Sequence, residues 1–67
     1  MVQLTVNGKR IEIDQEMPLN AFLQMRKIDP RHIAVARNGD VLDRDLYHAT
    51  VLRAGDTIEI VRMVGGG

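Results

Sequence analysis

Val2-Gln3-Leu4-Thr5-Val6-Asn7-Gly8-Lys9-Arg10-Ile11-Glu12-Ile13 is the stretch from which the rest of the fold is read. Val2, Leu4 and Val6 alternate with Gln3 and Thr5; after Asn7-Gly8 the alternation resumes with Ile11 and Ile13 between Arg10, Glu12 and Asp14. A period of two marks a strand with one apolar face. Asn-Gly is the strongest short hairpin signal, because both turn positions need positive φ and these two residues tolerate it. Met1 to Asp14 is therefore expected to be an antiparallel hairpin. A lone hairpin is marginal in water, so its apolar face must be covered by a later segment of the chain.

The cover comes next. Pro18 suits the first turn of a helix, where its missing N–H would have no partner. Leu19, Phe22 and Leu23 follow at i, i+3 and i+4 and form one apolar stripe; Met25 and Ile28 extend it less cleanly. Asp29-Pro30 is expected to stop the helix, because the residue before proline disfavours helical geometry. So short a helix must be held by laying its stripe on the sheet.

Beyond the helix, Ile33 to Asn38 reads as a strand with Ile33 and Val35 on one side and Ala34 and Ala36 on the other. Asn38-Gly39-Asp40 turns the chain into a short strand at Val41-Leu42. Arg44 to Leu52 is irregular, with a helical turn near Asp45-Leu46-Tyr47, and offers Leu46, Tyr47, Val51 and Leu52 to cover the core. After the Ala54-Gly55-Asp56 turn, Thr57 to Val64 is the last strand, with Ile58 and Ile60 facing inward. Two strands, one helix and further strands make an α+β layer and not repeated βαβ units. The order implies a β-grasp, ubiquitin-like roll: a mixed sheet of four to five strands on one helix, first and last strands side by side. The expected division is a globular domain over residues 1–64 and a flexible glycine tail over 65–67.

Composition limits what such a domain does. With 67 residues there is one domain with a thin core. The absence of cysteine removes disulfides, thiolate metal sites and a thiol nucleophile together. Nine Lys plus Arg balance nine Asp plus Glu, and there is one Phe, one Tyr and no Trp; this is a poor composition for nucleic-acid binding. No apolar run approaches the roughly 18 residues of a membrane span, and no signal-like pattern opens the chain, so no membrane partner and a cytoplasmic location are expected.

The tail carries the chemistry. A linker remnant is often glycine-rich, but Gly65-Gly66-Gly67 has no Ser or His companions and follows the last strand without a spacer, which favours a natural terminus. Glycines lack Cβ atoms, so such an arm threads a narrow channel in another protein and presents its terminal carboxylate there. Three residues reach at most ~10 Å. A free carboxylate is a poor acyl donor and must be activated, usually as an acyl-adenylate, by a separate enzyme.

Val6-Asn7-Gly8, Ile28-Asp29-Pro30-Arg31-His32-Ile33-Ala34-Val35, Arg37-Asn38-Gly39-Asp40-Val41 and Gly55-Asp56-Thr57-Ile58-Glu59-Ile60-Val61, ending in Val64-Gly65-Gly66-Gly67, resemble in order the ThiS-type sulfur carriers of thiamine thiazole biosynthesis. The resemblance runs the length of the chain. It implies that a ubiquitin-activating-like adenylyltransferase uses ATP and magnesium to adenylate the Gly67 carboxylate. The chain itself then binds no cofactor. Sulfur from a cysteine desulfurase displaces the adenylate to leave a thiocarboxylate, and thiazole synthase consumes that sulfur. Gly66 and Gly67 match the family's terminal pair, with Gly65 part of the arm inserted into the partner's active site. Two positions depart from the pattern: Asp43 stands where proline is common, and Met17-Pro18 replaces the commoner Thr-Val. The MoaD-like sulfur carriers of molybdopterin synthesis share fold, tail and activation, though the shorter length and Val-Gly-Gly-Gly ending favour thiamine. A ubiquitin-like modifier and a non-covalent β-grasp interaction module also fit the pattern.

No catalytic residue and no metal site are expected in the chain. His32 and His48 are the only imidazoles, too few for zinc without cysteine. Asp40, Asp43, Asp45 and Asp56 each sit at a turn, where Asp serves the backbone. Thr50 and Thr57 have no base in a recognisable motif, and no phosphate-binding glycine loop precedes the helix. If Ile58 and Ile60 face inward, Val61 and Met63 face outward with Ala34 and Ala36, and such an uncovered apolar patch suggests partner docking, unless Arg44 to Leu52 covers it. Arg37 and Arg62 flank the patch as candidates to steer an acidic partner.

Overall fold

The structure, a computed structural model, describes residues 1–63; Val64 and the expected tail of residues 65–67 lie outside the described residues. Strands β1 (Val2–Val6) and β2 (Lys9–Ile13) pair antiparallel, with Val2 opposite Ile13 and Val6 opposite Lys9, as the alternation requires. Asn7 at φ 50° and Gly8 at φ 81° make the expected tight turn.

The helix departs from expectation at both ends. Helix α1 is Leu19–Met25, and Pro18 is its N-cap and not part of its first turn. Pro18 instead belongs, with Met17, to strand β3 (Met17–Pro18), which pairs with β6 (Val51–Leu52). No side chain caps the helix; the Leu19 N–H is satisfied by the Thr50 carbonyl at 2.7 Å. At its far end the helix stops before Asp29-Pro30. Lys27 turns left-handed at φ 59°, its N–H bonds the Gln24 carbonyl, and the Ile28 N–H reaches back to Leu23. That paired closure is the Schellman motif, built here on lysine where glycine is usual. It turns Ile28 back onto the core and leaves Met25 exposed.

Strand β4 (Ile33–Arg37) turns through Asn38 (φ 50°) and Gly39 (φ 89°) into β5 (Asp40–Val41). A 3-10 segment over Arg44–Ala49 packs against α1 and β3, so it lies on the helix side of the sheet. Tyr47 enters the core from it and Leu52 from β6, but Leu46, expected to join them, is 50% exposed. Its carbonyl accepts the Thr50 hydroxyl at 2.7 Å. Strand β7 (Thr57–Arg62) ends two residues before the expected limit; Met63 follows it with its N–H on the His32 carbonyl at 2.9 Å.

The five-stranded sheet runs β2-β1-β7-β4-β5. Strands β1 and β7 are parallel neighbours, and every other pairing in that sheet is antiparallel. One helix across a mixed sheet with first and last strands adjacent is the β-grasp roll. Its core is aliphatic apart from Phe22 and Tyr47, with Leu4, Leu19, Phe22, Leu23, Val35, Leu52 and Ile58 fully buried. At roughly 0.05–0.15 kcal/mol per residue, a chain this size has about 3–10 kcal/mol of stability, so each of these side chains matters.

Candidate functional site

The geometry around the root of the tail follows from β7 being the central strand. Strand β1 ends at Val6 while β7 continues, and Asn7 takes over the pairing: its Oδ1 accepts the Ile60 N–H at 2.8 Å and its Nδ2 donates to the Ile60 carbonyl at 3.2 Å. On the other side β4 pairs with β7 as far as Ile33 opposite Arg62. The strand that leads toward the glycines is thus held on one edge as far as Ile60 and on the other as far as Arg62.

A second clamp holds the start of β7. Asp56 is only 6% exposed; its Oδ2 accepts the Arg53 N–H at 2.9 Å and its Oδ1 the Asn38 Nδ2 at 3.2 Å. Asn38 Oδ1 in turn accepts the Thr57 N–H at 2.9 Å. Arg37 Nε lies 3.1 Å from Asp56 Oδ2, but its N–H is not aligned for a hydrogen bond, so the contact is an ion pair without directionality. Arg37 is therefore committed to the fold and not held out as a steering charge. Arg62 is exposed.

Of the expected docking residues, the structure brings Ala34, Ala36 and Val61 together. Ala34 is opposite Val61 and Ala36 opposite Glu59, and with Val41 they line a shallow depression of about 160 Å³. The Arg44–Ala49 segment, on the helix side, leaves this face open. Met63 is not in this group: it lines a separate groove with Lys27, Asp29 and His32, because the chain has passed the end of the strand. Gly65, Gly66 and Gly67 lie outside the described residues.

Asp29 is a further carboxylate that serves its backbone, although the sequence signal for it, Asp directly before proline, points only to a helix stop. Its side chain caps the 3-10 turn Pro30–His32 by accepting the Arg31 N–H at 2.9 Å, and Arg31 Nη2 sits 2.9 Å from Oδ2. Hydrogen bonding from the Arg31 side chain, then from its N–H, lowers the carboxyl to about 2. Asp43, by contrast, makes no side-chain cap bond. Among the described residues no three His, Asp or Glu side chains converge as metal ligands, and no helix is long and apolar enough to cross a membrane.

One helix on a mixed sheet with β7 at its centre, between β1 and β4, defines the class: a small domain of ubiquitin-like fold. The ThiS family model matches residues 3–67, and the chain belongs to the ThiS family, the sulfur carriers of thiamine biosynthesis. It is 31% identical to the sulfur carrier protein ThiS of Bacillus subtilis, with 96% of this chain and 98% of that protein covered. The crystal structure of the thiamine biosynthesis protein ThiS from Geobacter metallireducens superposes with a TM-score of 0.87 at 33% identity, covering 98% of this chain and all of that one. A thiazole synthase of Paramagnetospirillum magneticum is 32% identical over 66 residues; the chain spans only 20% of that protein's length.

Proposed function

We propose that this protein carries sulfur as a thiocarboxylate on Gly67 for formation of the thiazole ring of thiamine. The observation that supports this most is the family match running from residue 3 through Gly65-Gly66-Gly67, which follow the central strand after Met63 and Val64 in sequence. In this reading an adenylyltransferase, using its own ATP and magnesium, couples AMP to the Gly67 carboxylate with release of pyrophosphate. Gly65 and Gly66 thread the enzyme's channel. Sulfur originating from a cysteine desulfurase displaces AMP, and thiazole synthase takes it up. The match to one fifth of a protein named thiazole synthase supports that last partner. The chain supplies recognition and a handle, and the chemistry belongs to its partners. The open face of Ala34, Ala36 and Val61 is the proposed docking surface, with Met63 at the tail's root as a second contact.

Intact mass after incubation with ATP, magnesium, an activating enzyme and a sulfur source tests the reading. The expected change is one oxygen-for-sulfur exchange at the terminus, abolished by deleting Gly67 or appending a residue after it. Attachment to lysines would make the protein a modifier instead, and an unchanged mass would leave only an interaction module. Val61→Glu is expected to weaken the activating enzyme's binding; unchanged affinity would remove the docking face from the proposal.

A further inference from the structure

Because the chain turns back at Lys27, α1 leaves one end of the sheet's inner face uncovered. An open groove of about 350 Å³ remains between the last turn of the helix and the β1–β2 and β7 ends. The floor is aliphatic: Ile11, Ile28 and Ile60 are half-buried there, with the Phe22 ring beneath. The rim is cationic. Lys9, Arg26 and Arg62 line it, all three exposed, and Arg26 is held with its guanidinium carbon 5.7 Å from the centre of the Phe22 ring.

Among the described residues no carboxylate lines this groove, and none of the three cations is in an ion pair. In a chain with nine basic and nine acidic residues, that is a segregation of charge and not an average of it. Arg62 is the last residue of β7 and stands five residues before Gly67, so a protein that engages Gly67 comes within roughly 18 Å of the rim.

We infer that this groove docks an acidic segment of the protein that receives the tail, with carboxylates on Lys9, Arg26 and Arg62 and an aliphatic side chain on the Ile11–Ile28–Ile60 floor. The identity of that partner rests on the carrier reading above; the chemistry of the groove does not. The site is distinct from the Ala34–Ala36–Val61 face, since Ile60 and Val61 point to opposite sides of β7.

The test is amide-shift mapping on the isotope-labelled full chain. The probes are an acetylated peptide of alternating Glu and Leu residues, its Gln-for-Glu counterpart, and inorganic tripolyphosphate. The acidic peptide is expected to move the amides of Lys9, Ile11, Ile28 and Arg62, and the Gln peptide to leave them unmoved. Lys9→Glu with Arg62→Glu is expected to weaken the peptide about tenfold or more. Arg26 is kept because it covers Phe22. The control pair Arg44→Glu with Arg53→Glu makes the same change of charge away from the groove and is expected to bind normally. Shifts centred on Ala34 and Val61, equal weakening in the control pair, or tripolyphosphate binding the groove as tightly as the peptide would each overturn the inference. With an activating enzyme and ATP, the Lys9/Arg62 variant is expected to show about a tenfold higher KM for adenylation, and an unchanged KM would overturn docking by that enzyme. If the unsubstituted chain is not adenylated at all, the carrier reading falls while the peptide mapping still decides the groove.

Discussion

The two faces of β7 differ in what packs on them. On the inner face Ile58 is fully buried beneath α1, and Ile60 is half-covered where the helix gives out. On the outer face, three residues beyond Ile58, Val61 is 62% exposed opposite Ala34. Both are branched aliphatic residues on one strand, so strand propensity does not separate them. What separates them is whether something packs on top. The inner face holds the fold together, and the outer face, where Val61 lies beside Glu59 and the alanines of β4, is a surface that the fold does not use.

Truncating each side chain in turn gives the largest expected contrast. Ile58→Ala removes a fully enclosed side chain and is expected to cost about 2–5 kcal/mol, much of the total stability of so small a domain. Val61→Ala is expected to stay within about 0.5 kcal/mol, as exposed substitutions do. Urea unfolding of both variants reads the difference directly. Comparable losses would mean that the outer face contributes to the core, and the docking face would have to be abandoned.

How far the inner face is covered depends on where the helix ends, and that end rests on a strained residue. Lys27 sits at φ 59°, where an L side chain crowds its own carbonyl. Lys27→Gly is expected to raise stability by about 0.5–1 kcal/mol, the relief of that strain exceeding the extra freedom glycine gives the unfolded chain. For a domain this size that is a rise of a few degrees in Tm. A fall in Tm would show that the lysine stem contributes more by contact than the strained backbone costs.

The hairpin, the helix stripe and the inward set of Ile33, Val35 and Ile58 are legible in the sequence because each repeats a period over several residues. So is the outward grouping of Ala34, Ala36 and Val61, since it follows from the same alternation. The β3–β6 pairing is not legible, because two residues carry no period and Met17-Pro18 reads locally as a helix start. The true end of α1 is hidden for a related reason: the Schellman closure is usually announced by glycine, and here lysine occupies the position. With that end hidden, the groove it leaves open is hidden too. Extending the alternation past Arg62 places Met63 on the outer face, but the ladder has already stopped there. Arg37 shows the limit of reading charge locally, since its partner Asp56 is far away in sequence and reaches it only because β4 and β7 pair.

The smallest expected effect concerns how β4 is brought up to β7. Asp29 starts the 3-10 turn that feeds Ile33 into the sheet, and the His32 carbonyl at its end accepts the Met63 N–H. The Arg31 side chain and N–H bond the ionised carboxylate, which is why it titrates at about 2 and not at its ordinary 3.8. A carboxyl depressed in the folded state adds stability that is fully present above its unfolded value. That stability is lost as pH falls from about 4 through 2. The pair is exposed, so the change is expected to be slight beside the loss from Ile58→Ala. Side-chain carbonyl shifts followed by NMR should place the Asp29 midpoint near 2, and Arg31→Ala should move it upward, though not the whole way, because the N–H of residue 31 still donates to the carboxylate. An Asp29 midpoint at the ordinary carboxylate value in the unsubstituted chain would mean that the Asp29–Arg31 pair is not formed in solution. The turn would then be held by the Asp29 carbonyl bond to the His32 N–H alone.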